Sequence, residues 1–173
     1  MPSPFAEVLS SLRSTFESLE LGGYVFGAQA ALVHGAVRIT ADVDLTVLLG
    51  DFTTETLVEA LEAQGFELRG VETDFVRETR VLPLVHLETG VNADVVIGGL
   101  SIEESFRSRA EPADLGGTIV PVAAAEDVIA IIAAQGPSLS FVRIRGTLEL
   151  FEKARGRRDL IIELERARAE ATR

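Results

Sequence analysis

The chain has 173 residues, 47% of them hydrophobic, with no cysteine and a formal net charge of −11. That length buries a sizeable core without disulfides or a structural metal, and the hydrophobic content excludes a disordered chain. No apolar run approaches the ~18 to 20 residues of a membrane span, and the start lacks the basic-then-apolar pattern of a secretion signal, so a cytoplasmic protein is expected.

Pro4 to Leu19 reads as an amphipathic helix, with Phe5, Val8, Leu9, Leu12, Phe16 and Leu19 at helical spacing and Ser3-Pro4 as N-cap and N1. Gly22-Gly23 breaks it. Tyr24 to Phe26 is a short strand running into a turn at Gly27, and Ala28 to His34 a short helix closed by Gly35. Val43 to Leu49 reads as a central strand, Thr53 to Gln64 as a helix, and Phe66 to Leu68 as a strand. Val81 to Leu87 and Val91 to Ile97 flank the hairpin-like turn Glu88-Thr89-Gly90. Ile102 to Arg109 is a short helix and Thr118 to Val122 a strand. Three helical segments follow, Ala124 to Gln135, Leu139 to Ala154 and Arg158 to Ala171. The expectation is an α/β (α+β) core over 1–122, a mixed sheet flanked by helices, with a helical C-terminal part over 123–173 packed on it.

The stretch Gly27 to Asp44 carries the chemistry. Residues i and i+2 of a strand share a face, so Asp42 and Asp44 project together while Val43 enters the core. Adjacent carboxylates repel, and a hard cation such as Mg²⁺ or Mn²⁺ relieves that repulsion. Asp94 lies in another apolar strand, and if the two strands are neighbours it completes a three-carboxylate site suited to phosphoryl chemistry. Gly27-Ala28 opens a helix, where free backbone N–H groups attract phosphates. Arg38 is placed to contact a phosphate oxygen and Thr40 to orient the loop. Competing chemistries lack their motifs: there is no Gly-x-Ser-x-Gly, no Gly-x-x-x-x-Gly-Lys and no Gly-x-Gly-x-x-Gly. His34 reads as a structural residue at the end of the short helix and His86 as a half-buried strand residue. Glu126-Asp127 reads either as a helix start or as an acceptor contact.

Gly27, Ala30, His34, Gly35, Arg38, Thr40, Asp42, Asp44 and Leu45, with Asp94 later, resemble the signature of the DNA polymerase β-like nucleotidyltransferase superfamily. The pattern looks most like a small bacterial subgroup related to abortive-infection toxins and aminoglycoside nucleotidyltransferases. TIVPVAAAEDVIAI and RRDLIIEL resemble later passages of that subgroup. The resemblance implies NTP as substrate and a divalent metal held by Asp42, Asp44 and Asp94. It also implies Gly27, Ala28, Arg38 and Thr40 at the nucleotide, and Asp94 assisting deprotonation of an acceptor hydroxyl. A toxin–antitoxin or resistance setting follows from the same likeness. The chain departs from the pattern in three places. Ala28 stands where the family has a second Gly or Ser, and Ile131 or Ile132 where the subgroup often has Lys. The apolar Ile161-Ile162 replaces closing-helix acids beyond Asp159. These departures motivate a second reading, a nucleotide-binding or partner-binding regulatory module without turnover.

Residues 139–173 hold nine basic and six acidic groups, so the other 138 hold seven basic and 21 acidic, a balance of −14. Repulsion of phosphate backbones argues against bulk nucleic acid as partner. A cationic small molecule or a protein suits that field better as acceptor. A tRNA end stays open if the Arg-rich C-terminal segment faces it, and a protein partner or a homo-oligomer stays open as well.

Overall fold

The computed structural model describes residues 3–34, 41–71, 73–98, 101–125 and 127–128. In chain order these form α1 (Pro4–Ser18), β1 (Gly22–Val25), α2 (Gly27–Val33), β2 (Val43–Leu48), α3 (Thr54–Glu62) and β3 (Phe66–Leu68). There follow α4 (Thr73–Thr79), β4 (Val81–His86), β5 (Asn92–Gly98), α5 (Ser101–Arg109), β6 (Glu111–Asp114) and β7 (Ile119–Val122). Residues 125, 127 and 128 are helical, and the Ala124 carbonyl accepts from Asp127 and Val128, so a helix opens at the expected place. The rest of the expected helical segments, with Ile131, Ile132 and Asp159, lie outside the described residues.

The strands form one mixed sheet in the order β3-β4-β5-β2-β1-β7-β6. Its centre is the parallel pair β2–β5, flanked by antiparallel β1 and β4. Val43, Leu45, Val47, Ala93, Val95 and Ile97 alternate onto one face, all buried in the same core as Val8, Leu9, Leu12 and Phe16 of α1 and Leu57 and Leu61 of α3. Ser3 caps α1, its hydroxyl accepting from the Ala6 N–H at 3.2 Å, and Pro4 occupies the first turn, as read from the sequence. α5 lies across the other face, its Arg107 side chain over Gly22 and its Glu103 beside Gly98.

Three elements differ from expectation. β1 begins at Gly22, so the two glycines belong to the strand and do not merely break the helix. A Cβ on Gly23 would stand 2.9 Å from the Phe16 ring, and one on Gly22 would overlap the Arg107 guanidinium; the missing side chains let α1 and α5 close on the strand from either side. α4 is a short added helix with one fully buried anchor, Val76, tied to α3 by Arg77 Nη2 to Glu55 Oε1 at 2.6 Å. β6 is an outer strand with Pro112 in it, a residue tolerated at sheet edges. No helix among the described residues is long and apolar enough to cross a membrane.

Candidate active site

The β2–β5 register sets Asp44 directly opposite Asp94, so the two carboxylates stand side by side on neighbouring strands. They share the α5 face with Thr46 and Tyr24, the latter being the β1 partner of Thr46. The two strands are therefore neighbours, the condition on which the third acid depended. Asp42 lies in the bend just before β2, one residue outside the strand that was expected to carry it.

Gly27 closes the turn between β1 and α2 with φ +66, in the left-handed region that favours glycine. A Cβ there would stand 2.8 Å from Asp44 Oδ2, so the turn backbone lies directly against that carboxylate. Ala28 is the second residue of α2. Arg38 and Thr40 lie outside the described residues.

Gln29 was invisible to motif reading, yet it organises the acids. Its side chain is 2% exposed. Its Oε1 accepts from the Asp44 N–H at 3.2 Å, while its Nε2 donates to the Asp42 carbonyl. One amide thus grips the backbone on both sides of Val43. The Asp44 carbonyl accepts from Phe26 N–H at 3.2 Å, which fixes the strand against the start of α2. His34 ends α2 as its C-cap residue, and its buried ring Nε2 donates to the Ala123 carbonyl at 2.7 Å. That agrees with its structural assignment. His86 is buried against the Phe66 ring and bonds Thr89 at 3.0 Å, so it too is structural and more enclosed than expected.

A second residue missed by the sequence is Arg69, in the loop after β3, whose Nη2 donates to Asp94 Oδ1. Farther along the same face, Asp127 is 3% exposed and takes both Nε (3.1 Å) and Nη2 (2.5 Å) of Arg109. The carboxylate holds Arg109 firmly charged, and Arg109 also lies over the Phe106 ring at 5.6 Å. Asp127 thus does more than start a helix: it pins that helix to α5. Glu126 lies outside the described residues.

The donor chemistry fits a hard divalent cation: acidic oxygens from Asp44 and Asp94 in register, with Asp42 two residues away. Among the described residues, however, no three acidic or imidazole side chains are gathered tightly enough to hold a metal.

No family model matches the chain, and no curated protein matches it. Solved structures do. A solution structure of the antibiotic-resistance factor ANT(2'')-Ia aligns over 98% of this chain and 92% of its own, with 13% identity and a TM-score of 0.61. A crystal structure of ANT(2'')-Ia in complex with adenylyl-2''-tobramycin aligns over 95% of this chain and 97% of its own, with 14% identity and a TM-score of 0.58. At such identities the likeness is one of fold: this chain has a nucleotidyltransferase-type fold.

Proposed function

We propose that this protein is a metal-dependent nucleotidyltransferase that moves a nucleoside monophosphate from an NTP to the hydroxyl of a cationic small molecule. The observation that carries this reading is Asp44 opposite Asp94 on adjacent parallel strands, with the Gly27 turn against the Asp44 carboxylate. Asp42, Asp44 and Asp94 would hold the divalent cation, which when bound neutralises charge on the triphosphate. The Gly27-Ala28 backbone and Arg38 would receive phosphate oxygens, with Thr40 shaping the loop. The acceptor oxygen forms a bond to the α-phosphorus, the bond from that phosphorus to the bridging oxygen breaks, and pyrophosphate leaves. The acceptor proton passes to Asp94. Positioning supplies much of the acceleration, because the Gln29 clamp fixes the backbone that carries both Asp42 and Asp44. The choice of acceptor follows from the acidic balance of the first 138 residues, and one structure of the same fold holds adenylyl-2''-tobramycin.

The test is incubation with α-labelled NTPs, Mg²⁺ and a panel of aminoglycosides, tRNA and proteins. Label is expected on a cationic small molecule and is lost in Asp44→Asn. Absence of any Mg²⁺-dependent NTP binding by calorimetry sinks the proposal. The engagement of Asp94 by Arg69 favours a second reading, a nucleotide-binding module without turnover. NTP binding lost in Asp42→Ala, with no label transferred to any acceptor, would select it.

A further inference from the structure

Arg69 is the first residue past β3, and its N–H donates to the Pro83 carbonyl at 2.8 Å. Pro83 is the β4 register partner of Asp94. In an antiparallel strand a residue's nitrogen and carbonyl point to the same side, so the bare Pro83 nitrogen also faces Arg69. It has no proton to give, and the ladder stops there. The chain turns at Gly70, with φ +61. The Arg69 side chain instead crosses β4 and reaches Asp94. The two side chains are 33% and 37% exposed. The pairing is incomplete: contact is through Nη2, while Nε is buried without a hydrogen-bond partner among the described residues. A guanidinium matched to its carboxylate would use two parallel N–H donors. This one is held by charge and left under-satisfied, the condition of a partner that can be exchanged.

Resting on the nucleotidyltransferase reading above, we propose that Arg69 is a built-in counter-ion that competes with the divalent cation for Asp94. With no cation bound, Arg69 offsets the repulsion between Asp44 and Asp94 and holds the third carboxylate. Cation binding displaces the guanidinium. The pair therefore sets the cation concentration at which the three acids assemble.

The experiment is Mn²⁺ titration of the full chain, read from the paramagnetic signal of the free ion, with circular dichroism to verify folding. Arg69→Gln is expected to tighten Mn²⁺ about two- to fivefold, the scale of a partly exposed ion pair. The same substitution made on top of Asp94→Asn is expected to change nothing. An unchanged affinity in Arg69→Gln overturns the proposal. So does an equal gain in the Asp94→Asn background, because Arg69 would then act only through its general field. Mn²⁺ binding indifferent to Asp44→Asn overturns the site itself; binding lost in Asp44→Asn but insensitive to Arg69→Gln overturns only the counter-ion. Should Arg69→Gln not fold, the arginine nitrogen resonances of the wild type decide. Rotation of the Arg69 guanidinium is expected to be slow without cation and to become fast on saturation with Mg²⁺; a spectrum that Mg²⁺ leaves unchanged overturns the proposal.

Discussion

Tyr24 is the single tyrosine of a chain without tryptophan, so the tyrosinate absorbance band, beyond the phenylalanine band, reports on it alone. It is 1% exposed, on the same sheet face as Asp44. Burial pushes its phenol from 10.0 up to about 12; the Thr46 hydroxyl opposes the shift, and the Glu103 and Asp127 charges add to it. Between those values the folded chain keeps a proton that the unfolded chain has released. Stability is therefore full below pH ~10 and is lost as pH rises toward ~12. Spectrophotometric titration is expected to show a midpoint near 12, or one coincident with unfolding, that falls to about 10 in denaturant. Tyr24→Phe should flatten the alkaline decline of the urea midpoint. A folded-state midpoint near 10 would contradict this account. At this scale the sequence was informative about some residues and silent about others. Asp44 and Asp94 announce themselves as acids inside β-branched runs. Gln29 and Arg69 do not, because their partners lie across the turn and across a strand, 15 and 25 residues away.

Among the elements, α2 and β2 act as a unit. A helix of seven residues has too little internal hydrogen bonding to persist alone. It is held by the Gln29 amide at one end and by His34 on Ala123 at the other. Gln29→Leu keeps the bulk but leaves the Asp44 N–H and the Asp42 carbonyl without their partner. The expected cost is ~1–3 kcal/mol, read as a lower urea midpoint at unchanged slope. Any NTP transfer should fall more steeply than stability does, since the same bonds position both acids. An unaltered urea midpoint would show that water replaces the amide at no cost. β2, β4 and β5 were legible because apolar alternation and a Glu-Thr-Gly turn mark them. α4 was not, since one buried valine in a seven-residue segment leaves no helical period to detect. β6 was not, since Glu-Pro-Ala-Asp has no strand composition and owes its form to pairing with β7. Gly22-Gly23 misled for a related reason: glycine breaks helices and weakens strands, and only the packing of Phe16 and Arg107 explains its place in β1.

For the whole molecule the decisive property is charge. The acids of the site face, Asp44, Asp94, Glu103 and Asp127, lie in a region of 138 residues with a balance of −14. Arg69 and Arg109 offset Asp94 and Asp127 locally, but their short-range pairs leave the long-range field negative. Such a field draws a cationic acceptor toward the site face and repels an anionic one, and salt weakens both effects as the screening length shrinks to ~10 Å near 0.1 M. With NTP saturating and free Mg²⁺ constant, only the acceptor encounter remains sensitive to salt. Raising NaCl from ~20 to ~200 mM should then lower kcat/KM several-fold for a polycationic acceptor while leaving kcat nearly unchanged. A neutral acceptor should show a flat profile. A tRNA end, if it serves at all, should react faster as salt rises, unless the basic segment 139–173 receives it and reverses that slope. The sign of the salt dependence thus separates a cationic small-molecule acceptor from a nucleic-acid end that meets the acidic face, provided the acceptor's own charge is the only quantity varied between assays.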